Sequence, residues 1–178
     1  GYIHSTESCG PVAGPGVGFV ICVSGCPMRC QFCHNPDTWD MQAGEKKSAD
    51  ELLRQALRYR SYWKDGGGIT VSGGEPLLQI DFLTDLFRKA KEQGIHTTID
   101  TSGAPFTREE PFFGKFNELM KYTDLLLVDI KHIDEEQHRI LTGRTNKNIL
   151  DMAESLSEIG KPVWIRHVLV PERSDYDE

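Results

Sequence analysis

The sequence has no apolar run of the roughly twenty residues that a membrane-spanning helix needs. Its first residues, Gly1-Tyr2-Ile3-His4, lack the basic and apolar regions of a secretory signal. No membrane partner is expected. Positive charge is also scarce: 20 Lys and Arg stand against 27 Asp and Glu, a net charge of −7, and no basic block appears. Phosphate backbones are held by clustered Lys and Arg, so nucleic acid is not an expected partner. The five cysteines are an odd number, and a chain of 178 residues is large enough to fold on its core without disulfide staples. Reduced thiols and a cytoplasmic location follow as expectations.

What remains is ordinary for one globular domain over residues 1–178: 38% hydrophobic and 26% charged residues. Val17 to Ser24 is a continuous apolar segment of the kind that forms a strand buried on both faces. Ser48 and Glu51 make a capping-box pattern before Leu52, Leu53, Ala56, Leu57 and Trp63, a helical stripe that stops at Gly66-Gly67-Gly68. Ile69 to Val71 reads as a strand, and Phe82, Leu83, Leu86, Phe87 and Ala90 as a helix ended by Gly94. Ile95 to Ile99 and Leu125 to Val128 are further strands, separated by a weaker helix around Phe112, Phe116, Leu119 and Met120. A helix through Ile149, Leu150, Ala153, Leu156 and Ile159 precedes a strand at Val163 to Val170, bracketed by Pro162 and Pro171. Alternation of this kind implies α/β architecture, with a mainly parallel sheet and right-handed crossovers. Ligands of such sheets bind beyond the carboxyl ends of the strands. Four unusual segments fall at those ends: the cysteine loop, Ser72-Gly73-Gly74-Glu75-Pro76, Asp100-Thr101 and Asp129-Ile130-Lys131-His132.

Cys26, Cys30 and Cys33 carry the strongest signal. Three thiols in Cys-x3-Cys-x2-Cys spacing can hold an iron–sulfur cubane by three irons and leave the fourth without a protein ligand. The alternative is a structural zinc site completed by His34, in a non-catalytic binding module. Against it, zinc knuckles favour paired Cys-x2-Cys, and His34 directly beside Cys33 would strain a tetrahedron. Gly73 and Gly74 suit a place where backbone approaches a ligand, or an ordinary βα turn, and Glu75 is suited to holding the turn or a cationic amine. Asp100, Thr101 and Asp129 are placed to face a cation or to cap helices. Arg166 interrupts the apolar run Val163-Trp164-Ile165 and points either inward, toward a carboxylate or ribose, or outward. Cys9 and Cys22 read as small apolar residues, and His4, His96, His138 and His167 show no ligand spacing.

With Phe32 before its last cysteine, the cysteine motif resembles that of the radical S-adenosylmethionine (SAM) enzymes. Glu7-Ser8-Cys9-Gly10, Cys33-His34-Asn35-Pro36-Asp37-Thr38-Trp39 and Ser72-Gly73-Gly74-Glu75-Pro76 narrow the likeness to the glycyl-radical activating enzymes, and it runs the length of the chain. The resemblance implies a partial (β/α) barrel of parallel strands. It also implies a [4Fe-4S] cluster on Cys26, Cys30 and Cys33, with SAM on the open iron cleaved reductively to a 5′-deoxyadenosyl radical. SAM contacts would come from Phe32, Cys33, His34, Gly74, Asp129, Ile130, Lys131, His132, Ile133 and Arg166, and a monovalent cation from Asp100, Thr101 and Asp129. The implied partner is a glycyl-radical enzyme, pyruvate formate-lyase first and anaerobic ribonucleotide reductase as the alternative, with reduced flavodoxin or ferredoxin as electron donor. Relatives of this group that carry a ferredoxin-like insertion place it where this chain has only the short connection Asp40 to Lys47. The chain opens without Met and ends at Val170 to Glu178 without a closing element, so a truncation before the last βα unit, which brings a further SAM-site histidine in relatives, is the expectation here.

Overall fold

The computed structural model describes residues 1–10, 16–63 and 67–171, although the side chains of residues 9 and 10, Cys9 included, are outside the description. Gly66, where the sequence places a helix stop, and the run beyond Pro171 also lie outside the described residues. The chain begins with strand β1 (Tyr2–Gly10), antiparallel to β2 (Gly18–Val23), with Ile3 opposite Val23 and Glu7 opposite Val20. β1 has no apolar alternation to announce it, since Ile3 alone of its described side chains joins the hydrophobic core. A two-residue strand, β3 (Glu45–Lys46), pairs with the other side of β1.

Helix α1 (Ala49–Leu57) starts where the capping box expects it. The Ser48 hydroxyl accepts from the Glu51 amide (3.2 Å), and the Glu51 carboxylate accepts from the Ser48 amide (2.7 Å). It ends at Leu57, so Trp63, expected on the same helix, follows a separate short turn at Arg60–Tyr62. Then come β4 (Gly68–Gly73), α2 (Ile80–Glu92), β5 (His96–Thr101), α3 (Phe112–Lys121) and β6 (Leu125–Asp129). Two helices, α4 (Glu135–Thr142) and α5 (Lys147–Glu158), precede β7 (Val163–Arg166). β7 is shorter than the expected Val163 to Val170, and its pairing with β6 finishes at Arg166 opposite Asp129.

The sheet runs β3-β1-β2-β4-β5-β6-β7, and β2, β4, β5, β6 and β7 are parallel neighbours in that order. These five are the strands that the sequence pattern supplies. The antiparallel pair β1 and β3 extends the sheet beyond β2, and among the described residues the sheet is open between β3 and β7, as in a partial barrel. Strand alternation sorts the residues between two faces. Phe19, Ile21, Val23, Ile69, Val71, Ile99, Leu126 and Val128 meet Leu52, Leu86, Phe87, Phe116, Leu119, Met152 and Leu156 from the helices in one buried cluster. Cys22, Ser72, Asp100, Asp129 and Arg166 point the other way, toward the inside of the partial barrel.

Phe87 is fully buried at the centre of this helix-facing core. Phe87→Ala is expected to cost about 3–5 kcal/mol, read as a lowered urea midpoint with an unchanged slope.

Candidate functional site

The cysteine loop is fixed by backbone before any ligand is considered. Leaving β2, the amide of Ser24 donates to Tyr2 (3.0 Å), that of Gly25 to Thr38 (2.7 Å) and that of Cys26 to Trp39 (3.2 Å). The loop therefore curls back on its own downstream segment, and the Arg29 guanidinium lies 4.9 Å from the Trp39 ring. Further round, Arg29 and Gln31 donate to the carbonyls of Thr142 and Leu141, both at 2.9 Å. Those carbonyls end α4 and have no partner within the helix. Met28 fills the space beneath the loop and is buried.

The turn after β4 closes on the same loop. Gly74 donates to Val23 (2.9 Å) and Glu75 to Gly25 (2.7 Å). A Cβ on Gly74 would collide with the Gly25 carbonyl, and Gly73, at φ 111°, would set a Cβ against the Val23 backbone. These glycines are required by the approach of backbone to backbone, and both also line the cavity described below. The Glu75 side chain turns away from that cavity. Fully buried, it accepts from the Leu77 amide (3.1 Å), the Ser102 amide (3.0 Å) and the hydroxyls of Thr101 and Ser102. Burial pushes its pKa up, while the hydroxyl and amide donors pull against that push. Of the two roles open to Glu75, holding the turn is the one seen.

A cavity of about 730 Å³ opens where the ends of β2, β4, β5, β6 and β7 converge. Cys26, Cys30 and Cys33 line one wall as free, half-buried thiols. Burial raises the pKa of Cys26 to about 11 and also pushes up that of Cys30, which Lys131 partly offsets. Binding of metal by these thiols therefore has to expel protons. Among the described residues, no three His, Cys, Asp or Glu side chains yet converge at metal-binding spacing, His34 included. The donor set still suits an iron–sulfur cluster: three thiols from one loop, facing one cavity roomy enough for a cluster and a small ligand.

The opposite wall is a charge network. Arg166 lies inward, with its Nε 3.1 Å from one Asp129 oxygen and Nη2 bridging to Asp100 and to the other Asp129 oxygen. Lys131 Nζ pairs with Asp129 (2.8 Å) and lies 5.7 Å from the centre of the Phe32 ring. The Ser72 hydroxyl donates to Asp100 (2.8 Å). Burial raises the Asp100 pKa, against the opposing pull of Arg166. Two carboxylates thus meet two cations supplied by the protein, and Thr101 is committed to Glu75. A monovalent cation at Asp100, Thr101 and Asp129 would have to draw these oxygens away from their present partners.

Of the residues expected to contact SAM, the structure brings Phe32, Cys33, His34, Gly74, Asp129, Lys131 and Arg166 to this cavity. Ile130, His132 and Ile133 are not among its lining. Ile130 packs against the core, His132 Nδ1 accepts from the Asp134 amide (3.0 Å), and Ile133 is exposed to solvent. Ser72, Ser102, Trp39 and His167 line the cavity without having been proposed for it. For Ser72 the signal was its position in the Ser-Gly-Gly-Glu turn; His167 follows the last residue of β7 and had none, because strand alternation would send it to the face opposite Arg166.

The Radical SAM superfamily model matches residues 20–178. Over its whole length the chain is 54% identical to a pyruvate formate-lyase-activating enzyme of Streptococcus mutans and 49% identical to one of Listeria monocytogenes, spanning 68% and 72% of those proteins. Among solved structures, a domain of a pyruvate-formate lyase-activating enzyme from Bacteroides vulgatus matches with a TM-score of 0.53 at 33% identity, over 61% of this chain and 63% of that one. Streptococcus suis SuiB bound to its precursor peptide SuiA shares the fold, with a TM-score of 0.66 at 23% identity over 86% of this chain and 33% of that one.

Glu75→Gln tests the tie beneath the site. An amide keeps the shape but turns a donor toward the hydroxyls and amides that surround the carboxylate, so a loss of about 1–3 kcal/mol is expected in urea unfolding. A variant as stable as the parent would show that the four bonds contribute nothing net.

Proposed function

This chain belongs to the radical SAM superfamily and, within it, to the pyruvate formate-lyase-activating enzymes, and on that premise we propose that it installs a glycyl radical on pyruvate formate-lyase. The observation that carries this reading is the placement of Cys26, Cys30 and Cys33 on the same cavity as Gly74 and the Asp100–Asp129–Arg166–Lys131 network. The three thiols would hold a [4Fe-4S] cluster as thiolates, three protein ligands leaving one iron for the amino and carboxylate groups of SAM. When bound, cluster and SAM together supply a 5′-deoxyadenosyl radical able to abstract hydrogen from carbon.

The protein's own part is binding and placement. Lys131 and Arg166 offer positive charge to the carboxylate of SAM, and Asp100 and Asp129 offer negative charge to its cationic groups. Because the four are already paired with each other, SAM exchanges partners with them and no bare charge is left behind when it departs. Phe32, beside Cys33, gives an apolar surface, and the backbone of Gly73 and Gly74 admits close approach. The glycine-bearing loop of the partner enters by the open side of the barrel, and a reduced flavodoxin or ferredoxin supplies the electron. No helix among the described residues is long and apolar enough to cross a membrane. We place the reaction in the cytoplasm, where thiols such as these stay reduced.

After anaerobic reconstitution, the chain is expected to take up about four irons. With SAM, a reductant and pyruvate formate-lyase it should then give 5′-deoxyadenosine and a glycyl-radical EPR doublet. Cys26→Ser, Cys30→Ser and Cys33→Ser should each abolish the doublet. A loaded cluster that yields the doublet only with anaerobic ribonucleotide reductase would overturn the choice of partner, and stoichiometric zinc without SAM cleavage would overturn the enzyme.

A further inference from the structure

The cysteine loop has an outer side. Arg29 and Gln31 alternate with the cysteines, are exposed, and do not line the cavity. They lie against the end of α4, where the Gln31 side chain also donates to the Ile140 carbonyl (3.0 Å). Just past the helix, Arg144 Nε donates back to the Pro27 carbonyl (3.0 Å). The two segments that meet here, residues 16–36 and 137–150, contain no Asp or Glu in a chain that has 27. They carry Arg29, Arg139, Arg144 and Lys147, all exposed. Arg29 and Arg144 bond to the carbonyls of Cys26, Met28 and Pro27, which leave their charge uncancelled. Glu135 reaches in from the first turn of α4 and pairs with Arg139 (2.9 Å) and Lys147 (3.1 Å), one carboxylate against four cations. Asp134 and Glu136 stand at the opposite end of the helix, and Asp37, between the last cysteine and Trp39, is held by His4 (2.7 Å). Ile140, 45% exposed, adds an apolar centre to this basic face.

We propose that this face docks an acidic one-electron carrier protein that reduces the cluster. The inference rests on the proposed function, because each SAM cleavage consumes one electron and the cavity side of the loop is given over to SAM and the partner's glycine. Electron transfer falls off steeply with distance, and here only the backbone of the loop separates the protein surface from the thiols. The carrier's flavin or iron–sulfur group is oxidised by one electron, the cluster is reduced by one, and no atom is transferred. Redox encounters are small and transient, so charge steers them. On a chain of net charge −7, an acidic carrier is repelled by most of the surface and turned toward this patch.

The test uses the cluster-loaded protein and oxidised flavodoxin, an acidic carrier, with binding followed by surface plasmon resonance at low and high salt. High salt should weaken binding by at least about tenfold, and Arg139→Gln with Lys147→Gln, which leave the loop contacts intact, should do the same at low salt. SAM cleavage driven by reduced flavodoxin should slow in parallel, while cleavage driven by photoreduced deazaflavin, which needs no docking, keeps the parental rate. Binding that ignores both salt and the double variant would overturn the proposal. So would an equal loss with both reductants, or a loss of binding to pyruvate formate-lyase alone, which would assign the face to the substrate protein. Failure of the parent to cleave SAM with deazaflavin would sink the proposed function, and the binding isotherms would still decide the docking face.

Discussion

The site depends on a close approach of two turns, the one after β2 and the one after β4. Val23 and Gly25 offer carbonyls, Gly74 and Glu75 offer amides, and no side chain stands between them. Whatever the thiols hold is thereby referred to the sheet through main-chain bonds, which are shorter levers than side chains. Glu75 extends the tie to β5 by way of Thr101 and Ser102, and the α4 carbonyls hold the loop from its far side. The cysteines are thus carried on a segment braced from three directions.

Much of this frame is legible in the sequence, for a physical reason. Strands buried on both faces are written as apolar runs, which is how β2, β4 and β6 show themselves. β5 is marked by Ile95 and Ile99 between a helix-ending glycine and Asp100, and β7, an edge strand with Trp164 and Ile165 exposed, by apolar residues between two prolines, although Val163 to Val170 overstates its length. β1 hides because, among its described side chains, only Ile3 enters the core. α4 hides because eight residues carry too short a stripe; its signs were the Asp134 cap, whose carboxylate accepts from Gln137, and Gly143, left-handed at φ 76°.

The cysteine spacing and the glycine pair mark the site because local chemistry needs them there. What the sequence conceals is partnership across distance. Nothing in the order of residues says that Ser72 will bond Asp100, that Glu75 will face Ser102 rather than a ligand, or that Arg166 will bridge two aspartates from two strands. The segment Asp129 to Ile133 illustrates the limit. Asp129 and Lys131 line the cavity, while Ile130, His132 and Ile133 do not: the strand ends at Asp129, the chain bends at Lys131, and Ile133 is left in solvent where strict alternation would have returned it to the cavity.

Arg166 also acts as a register lock. β7 is a short edge strand, the kind whose pairing is most prone to slip. A shift by one residue would throw the guanidinium to the opposite face, leave Asp100 and Asp129 confronting each other with only Lys131 between them, and carry the penalty of buried unpaired charge. The correct alignment is therefore checked at the cavity itself: the strand that completes the wall is held in phase by the same ion pairs that would receive the cofactor.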